Sequence, residues 1–189
     1  MEQLFDEVNL LHLFNNMSFC QIDEFDNKLK LVEQEKWSNL CENMPKLRTY
    51  ITFKTEFKTD DYVKGFLTRQ QRSLLAQLRT GILPLRIETG RFNNIKDSVT
   101  GKYRKLRPDE RLCEICKDGL IEDEFHFICV CSMYKNIRDE LYCNVTLKDP
   151  NFSDMNNLEK FNYLLNYEYK LLSEYLVKAW NKRKELLYT

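Results

Sequence analysis

The sequence predicts a mainly α-helical domain with one small Cys/His metal knuckle and a short β-hairpin around residues 83–106. Three observations lead there. Apolar residues recur at helical spacing through most of the chain. Only five glycines and four prolines interrupt its 189 residues. Cys113, Cys116, His126 and Cys131 follow the pattern C-x2-C-x9-H-x4-C, three thiols and an imidazole that can close a tetrahedral shell around one Zn²⁺ ion. A closed shell leaves no position for a substrate water, so the site reads as structural.

Residues 1–45 form the first expected segment, read as helix, break, helix. Leu4, Val8, Leu11, Leu13 and Phe14 give one apolar stripe, and Asn15-Asn16 stops it. Ile22, Phe25, Leu29, Val32, Trp37, Leu40 and Cys41 give a second, ending before Pro45. The second segment, 46–142, opens on Tyr50, Phe53, Phe57, Tyr62 and Phe66 among lysines and threonines, where we expect a short helix over 47–57 and another from about residue 60. Residues 68–80 are the clearest helix: Leu74, Leu75 and Leu78 form its buried stripe, Arg69, Arg72 and Arg79 share another face, and Gly81 caps its end. Residues 83–87 read as extended, turning at Thr89-Gly90, and 93–110 as the most loop-like part of the chain. A helix is expected from Ser132 to about Tyr142. The third segment, 143–189, opens on a Pro150-containing connection and continues as a long helix from about Asn157 to Leu187, interrupted near Asn166.

Within the cysteine cluster, two intervening residues let Cys113 and Cys116 reach one ion from a tight turn. The fourth ligand is ambiguous, because a regular helix aligns His126 with Cys129 better than with Cys131. Cys131 serves if the helix breaks before Ser132, which could cap the next one. The acidic run Glu122-Asp123-Glu124 reads as helix capping.

Net charge is zero, with 29 basic and 29 acidic residues, yet the charges are segregated. The middle of the chain, 46–107, is strongly basic, and both flanks are acidic. A basic middle with interleaved aromatics suits phosphate contact and base stacking. The candidate phosphate-binding residues are Arg69, Arg72, Arg79, Lys102, Arg104, Lys105 and Arg107, and the expected partner is RNA or DNA. The competing reading is a structural or protein-interaction zinc domain whose charges neutralise one another in the fold. No phosphate-binding loop or nucleophile elbow is present, so no catalysis is expected. Arg107-Pro108-Asp109 with Glu168 and Lys170 is the one arrangement resembling a metal-dependent nuclease. Seven cysteines, four of them between 113 and 131, fit a reduced compartment. The N-terminus lacks the pattern of a secretory signal, and the apolar runs are too short to span a bilayer. The expectation is an intracellular protein of nucleus or cytoplasm, neither secreted nor membrane-bound.

Between residues 46 and 142 the sequence resembles the C-terminal zinc-binding region that follows the polymerase domain in non-LTR (LINE-like) retrotransposon reverse transcriptases. Lys46-Leu-Arg-Thr-Tyr50, Arg72-Ser-Leu-Leu-Ala-Gln-Leu-Arg-Thr-Gly81, Leu85-Arg-Ile-Glu-Thr-Gly-Arg-Phe92 and Glu110-Arg-Leu-Cys-Glu-Ile-Cys116 carry the resemblance. Ile121-Glu-Asp-Glu-Phe-His-Phe127 leading to Cys131-Ser-Met-Tyr134 is its most specific part. The resemblance implies a CCHC knuckle with Cys131 as last ligand, and contact with template RNA or target DNA beside a reverse transcriptase core. The chain departs from the family in having no polymerase palm with Tyr-x-Asp-Asp carboxylates, and its Arg-Pro-Asp precedes the knuckle instead of following it. It is therefore expected to be a piece detached from the polymerase.

Overall fold

The computed structural model describes residues 19–44, 47 and 49–188. The helix expected over the first 14 residues lies outside them. The described part is mostly helical, with one two-stranded antiparallel sheet.

Helix α1 (Phe19–Asn43) is long but lightly packed; Cys41 is the one buried side chain among those described on it. Near its end Trp37 meets Tyr50 edge-on, with ring centres 6.2 Å apart, and Phe57 at 5.8 Å. The helix expected over 47–57 shrinks to one turn, α2 (Tyr50–Phe53). Thr49, Ile51, Thr52 and Thr55 are β-branched and disfavour a longer helix. Lys54 then turns inward, and its ammonium donates to Lys58 O and Asp60 Oδ1, both at 2.6 Å. The loop closes around that charge, and α3 (Asp61–Lys64) follows.

Helix α4 (Arg69–Arg79) forms as its sequence dictates. Thr68 and Gln71 make a reciprocal capping box, with Gln71 N donating to Thr68 Oγ1 (3.2 Å) and Thr68 N to Gln71 Oε1 (2.9 Å). At the other end Gly81 takes φ 68°, Gly81 N bonds Leu78 O and Ile82 N bonds Gln77 O, a Schellman ending that needs a residue without Cβ strain. Leu75 and Leu78 are fully buried.

The next stretch differs from expectation. Residues 83–87 do not extend into a strand; a helical turn, α5 (Arg86–Thr89), starts within them and places Leu85 and Ile87 in the core. The hairpin occupies the second half of the expected 83–106 range, in the stretch that reads as most loop-like: β1 (Asn94–Lys96) pairs with β2 (Tyr103–Lys105) in the register Asn94↔Lys105, Ile95↔Arg104, Lys96↔Tyr103. Its turn is built by Asp97, whose Oδ1 accepts from Val99 N, Thr100 N and Thr100 Oγ1, while Gly101 supplies the left-handed residue at φ 68°.

Helix α6 (Lys135–Lys148) runs through the position where the sequence reading divided the chain, after residue 142. The 143–157 connection is thus helical in its first part and holds a 3₁₀ helix, Pro150–Asp154. Helices α7 (Asn157–Asn166) and α8 (Tyr169–Tyr188) realise the long interrupted final helix. Asn156 and Glu159 cap α7 reciprocally. Helices α4, α6 and α7 all pack on α8. One apolar cluster runs from Phe53 to Ala179, with Phe127, Tyr134, Leu164 and Leu172 fully buried in it. The Tyr175 hydroxyl donates to Phe127 O (2.8 Å), joining α8 to the segment that carries His126. Among the described residues no helix is long and apolar enough to cross a membrane.

Candidate metal centre

Cys113, Cys116, His126 and Cys131 converge, with one ligand atom from each lying within 4.8 Å of all the others. Two local structures bring them together. The first is a miniature hairpin in which Cys113 N bonds Leu120 O (2.8 Å), Glu122 N bonds Arg111 O (3.0 Å) and Leu112 bridges Ile121. Between its arms the chain turns tightly through Cys113 and Cys116. Lys117 there adopts φ 59°, a conformation that costs any residue with a Cβ about 1–2 kcal/mol.

The second is a π-helical turn, His126–Val130, closed by Cys131 N donating to His126 O at 2.7 Å, five residues back. In an α-helix five residues sweep about 500° and separate the two side chains. The wider turn brings Cys131 back over His126, and the backbone leaves the helix at Cys131 (φ −52°, ψ 122°). This backbone feature resolves the choice of fourth cysteine. Cys129 instead points into the core beside Tyr142, where burial pushes its thiol up to about 11. Periodicity analysis assumes 3.6 residues per turn, so it has no means of finding a π turn. Ser132 does not cap the next helix; its hydroxyl donates to Asp118 Oδ2 (3.2 Å), tying the knuckle loop to the end of the π turn.

The four side chains fit a soft divalent cation. Cys116 Sγ and His126 Nε2 are 3.5 Å apart, against about 3.6 Å for two vertices of a tetrahedron with Zn–S near 2.3 Å and Zn–N near 2.0–2.1 Å. His126 Nδ1 is buried and has no hydrogen-bond partner among the described residues. A cation among the four atoms would be met by the other nitrogen, Nε2, the one 3.5 Å from Cys116 Sγ. The thiols also show how charge would be shared without one. Hydrogen bonds from Cys131, His126 and the amides of Cys116 and Ile115 hold the Cys113 thiol well below its ordinary value. Donating to Cys113 pushes Cys131 well above it, and burial raises Cys116. A divalent cation would stabilise all three as thiolates.

The acidic run beside His126 has three separate roles. Asp123 caps the helical segment, its Oδ1 accepting from His126 N at 2.7 Å, as its sequence position suggests. Glu124 is buried and accepts from Thr49 Oγ1 (3.0 Å). Glu122 forms a two-pronged ion pair with Arg183 of α8, and both side chains are almost completely buried. It also accepts from Arg86 N (2.8 Å) and contacts Cys113 Sγ (3.5 Å). Burial pushes the Glu122 carboxyl above the ordinary carboxylate range, and Arg183 opposes that push. Sequence reading missed this hub, since nothing local links two residues 61 positions apart.

The basic residues singled out from the sequence divide into two groups. Arg79 corrects the expectation of a phosphate contact: it is 4% exposed, donates to Leu165 O, pairs with Asp60 (3.1 Å) and lies over the Phe53 ring at 4.2 Å. Arg72 donates to Val63 O (2.6 Å) and Gly65 O (3.1 Å), so it holds the turn before α4. Arg104 is clamped by both oxygens of Glu110 and by Asp97. These three serve the fold. Arg69, Lys102, Lys105 and Arg107 are exposed. Lys96, which the sequence reading passed over, joins them: the pairing register puts Lys96 opposite Tyr103 on the exposed face of the hairpin. Asp109 sits 3.5 Å from Arg107, and Glu168 pairs with Lys148 at 2.7 Å, so each half of the nuclease-like arrangement is engaged by a neighbour of its own.

Compared with family models, with curated proteins and with solved structures, the chain gives no match.

Proposed function

We propose that the chain is a zinc-stabilised nucleic-acid-binding module without catalysis of its own. Zn²⁺ held by Cys113, Cys116, His126 and Cys131 fixes the knuckle, and the neighbouring hairpin meets the polyanion. The observation that carries this reading is the two-sided character of the hairpin. Ile95 and Arg104 face inward, and Arg104 is bound bidentately to Glu110 at the edge of the knuckle segment. Asn94, Lys96, Tyr103 and Lys105 face outward, with Lys102 and Arg107 beside them. A rigid ribbon with lysines spaced around an exposed tyrosine suits a strand of nucleic acid, the cations to phosphates and the ring to an unpaired base. The resemblance to the zinc-binding region of non-LTR reverse transcriptases supports template RNA or target DNA as partner, beside a polymerase core supplied by another chain.

Fluorescence anisotropy of zinc-loaded protein with a labelled single strand and a labelled duplex, across a salt series, tests the reading. Binding is expected to fall steeply with salt, by about 0.7–0.9 in log–log slope for each phosphate contacted. Lys96→Ala, Lys102→Ala and Lys105→Ala together should flatten that slope, and Tyr103→Ala should weaken single-strand binding selectively. Absence of binding at low salt would leave the alternative, a structural or protein-interaction zinc domain.

A further inference from the structure

Away from the hairpin and the knuckle, the loop around Lys54 and the corner between α7 and α8 enclose a cavity of about 420 Å³. Its charge is unbalanced at depth. Lys54 and Arg79, whose side chains are 6% and 5% exposed, share a single oxygen of Asp60 at 2.6 and 3.1 Å. Two buried cations thus face one carboxylate. The other charged pair on the wall, Lys58 with Glu56, is self-neutralising and exposed, and Asp61 lies in solvent. A buried uncompensated charge is costly and calls for an anion.

Two further polar groups on the cavity wall lack partners among the described residues. Arg79 Nε is a buried donor with none, although Nη1 and Nη2 of the same guanidinium are engaged. Asn162 Oδ1 is a buried acceptor with none. With Nη2 on Asp60, Nε is the guanidinium donor left for an anion, which would sit beside Asp60 rather than replace it. Phe53, Tyr62 and Tyr169 give the same cavity planar apolar walls. Its volume exceeds what a lone oxyanion fills, so an anionic group with a planar body attached suits it better.

We infer that this cavity binds a nucleotide, the phosphate taken by Lys54 and Arg79 and the base set among the aromatic rings with an exocyclic amine donating to Asn162. The ligand could be a free nucleotide or one nucleotide of a strand; the phosphate-plus-base chemistry is common to both. The site uses none of the hairpin residues and does not depend on them.

Isothermal titration of the zinc-loaded chain with the four nucleoside monophosphates, with inorganic phosphate and with a short oligonucleotide tests the inference. Saturable binding of at least one monophosphate, tighter than inorganic phosphate, is expected. Lys54→Met leaves Arg79 and Asp60 paired but removes the ammonium that the loop closes on, so zinc content, which reads the distant knuckle, should stay at the parent's while nucleotide affinity drops about tenfold or more. Asn162→Leu should weaken binding and change the preference among the four bases. Lys102→Ala with Lys105→Ala should leave monophosphate affinity unchanged, which separates this site from the hairpin. An oligonucleotide that competes with the monophosphate would identify the strand as the source, and one that does not would identify the free nucleotide. No monophosphate binding, binding no tighter than inorganic phosphate, or affinity insensitive to both Lys54→Met and Asn162→Leu would overturn it.

Discussion

Two basic stretches of this chain carry similar side chains and meet opposite fates. On α4 and its neighbours, Arg72 and Arg79 turn inward and spend their donors on backbone carbonyls and Asp60. On the hairpin only Arg104 turns inward, and it fixes a ribbon whose remaining cations stay in water. The difference lies in the acceptors within reach. Helix α4 packs on α8, which sits against carbonyls left free at the end of α7, and a long planar guanidinium can satisfy several of them while burying its stem. The hairpin has Asp97 and Glu110 to hold Arg104, with Arg107 meeting the same Glu110 at 3.5 Å, and its lysines have compact heads that keep their hydration. Local positive charge is therefore a poor guide to binding unless the carboxylates and carbonyls of the folded state are known.

The largest test of this contrast is chelation of the zinc proposed for the knuckle. Zinc sites of isolated finger peptides are worth about 10–16 kcal/mol in apparent binding energy. Chelation should abolish amide protection across 111–131 and loosen the hairpin anchored to it, while α4 and α8 keep theirs in hydrogen exchange. Loss of protection throughout would mean that the inward arginines depend on the knuckle as well. Next in size is Arg79→Ala, which leaves Lys54 and Asp60 paired but orphans Leu165 O and removes the guanidinium packed over Phe53. It should cost about 1–3 kcal/mol in urea unfolding, the range for a buried carbonyl left without its donor. A cost below about 1 kcal/mol would return Arg79 to the class of surface cations.

Lys102→Ala and Lys105→Ala should each change stability by no more than about 0.5 kcal/mol, whatever they do to binding. Acid probes the hairpin anchor. Arg104 holds the Glu110 carboxyl down to about 2 from its ordinary 4.5. Because the folded value is the lower one, the anchor is at full strength above 4.5 and is lost as pH falls toward 2. Following the Arg104 Nε resonance through that window should show the release, and release well above pH 4.5 would contradict the pairing. The smallest effect belongs to the knuckle turn. Lys117→Gly relieves a left-handed residue and should raise the unfolding midpoint by the equivalent of less than about 1 kcal/mol.

Much of this architecture was legible in the residues. The capping box at Thr68, the glycine ending at Gly81 and the break near Asn166 are local devices, written where they act. The approach of Cys113, Cys116 and His126 follows the same logic. Other features depend on distant or irregular partners and left no local trace. Arg79 as a buried cation requires Asp60 and Leu165, and Glu122 as a hub requires Arg183. A hairpin is expected within 83–106, but the sequence does not place its strands, because Asp97, Gly101 and their neighbours have loop composition and each strand is only three residues long. The π turn lies outside any pattern of 3.6 or 2.

The Arg183–Glu122 pair ties the knuckle to the last helix across 61 positions. The four candidate ligands lie within 19 residues, so a chain emerging from the ribosome can bring them together as soon as residue 131 is free. At that moment Glu122 has no counter-charge, because α8 has not been made. The knuckle would wait with a carboxylate held in water. The last helix buries that carboxylate only when it docks with Arg183 in position, and a helix docked out of register by one residue would leave both charges stranded. A misplaced α8 would therefore carry the cost of two buried, unpaired charges.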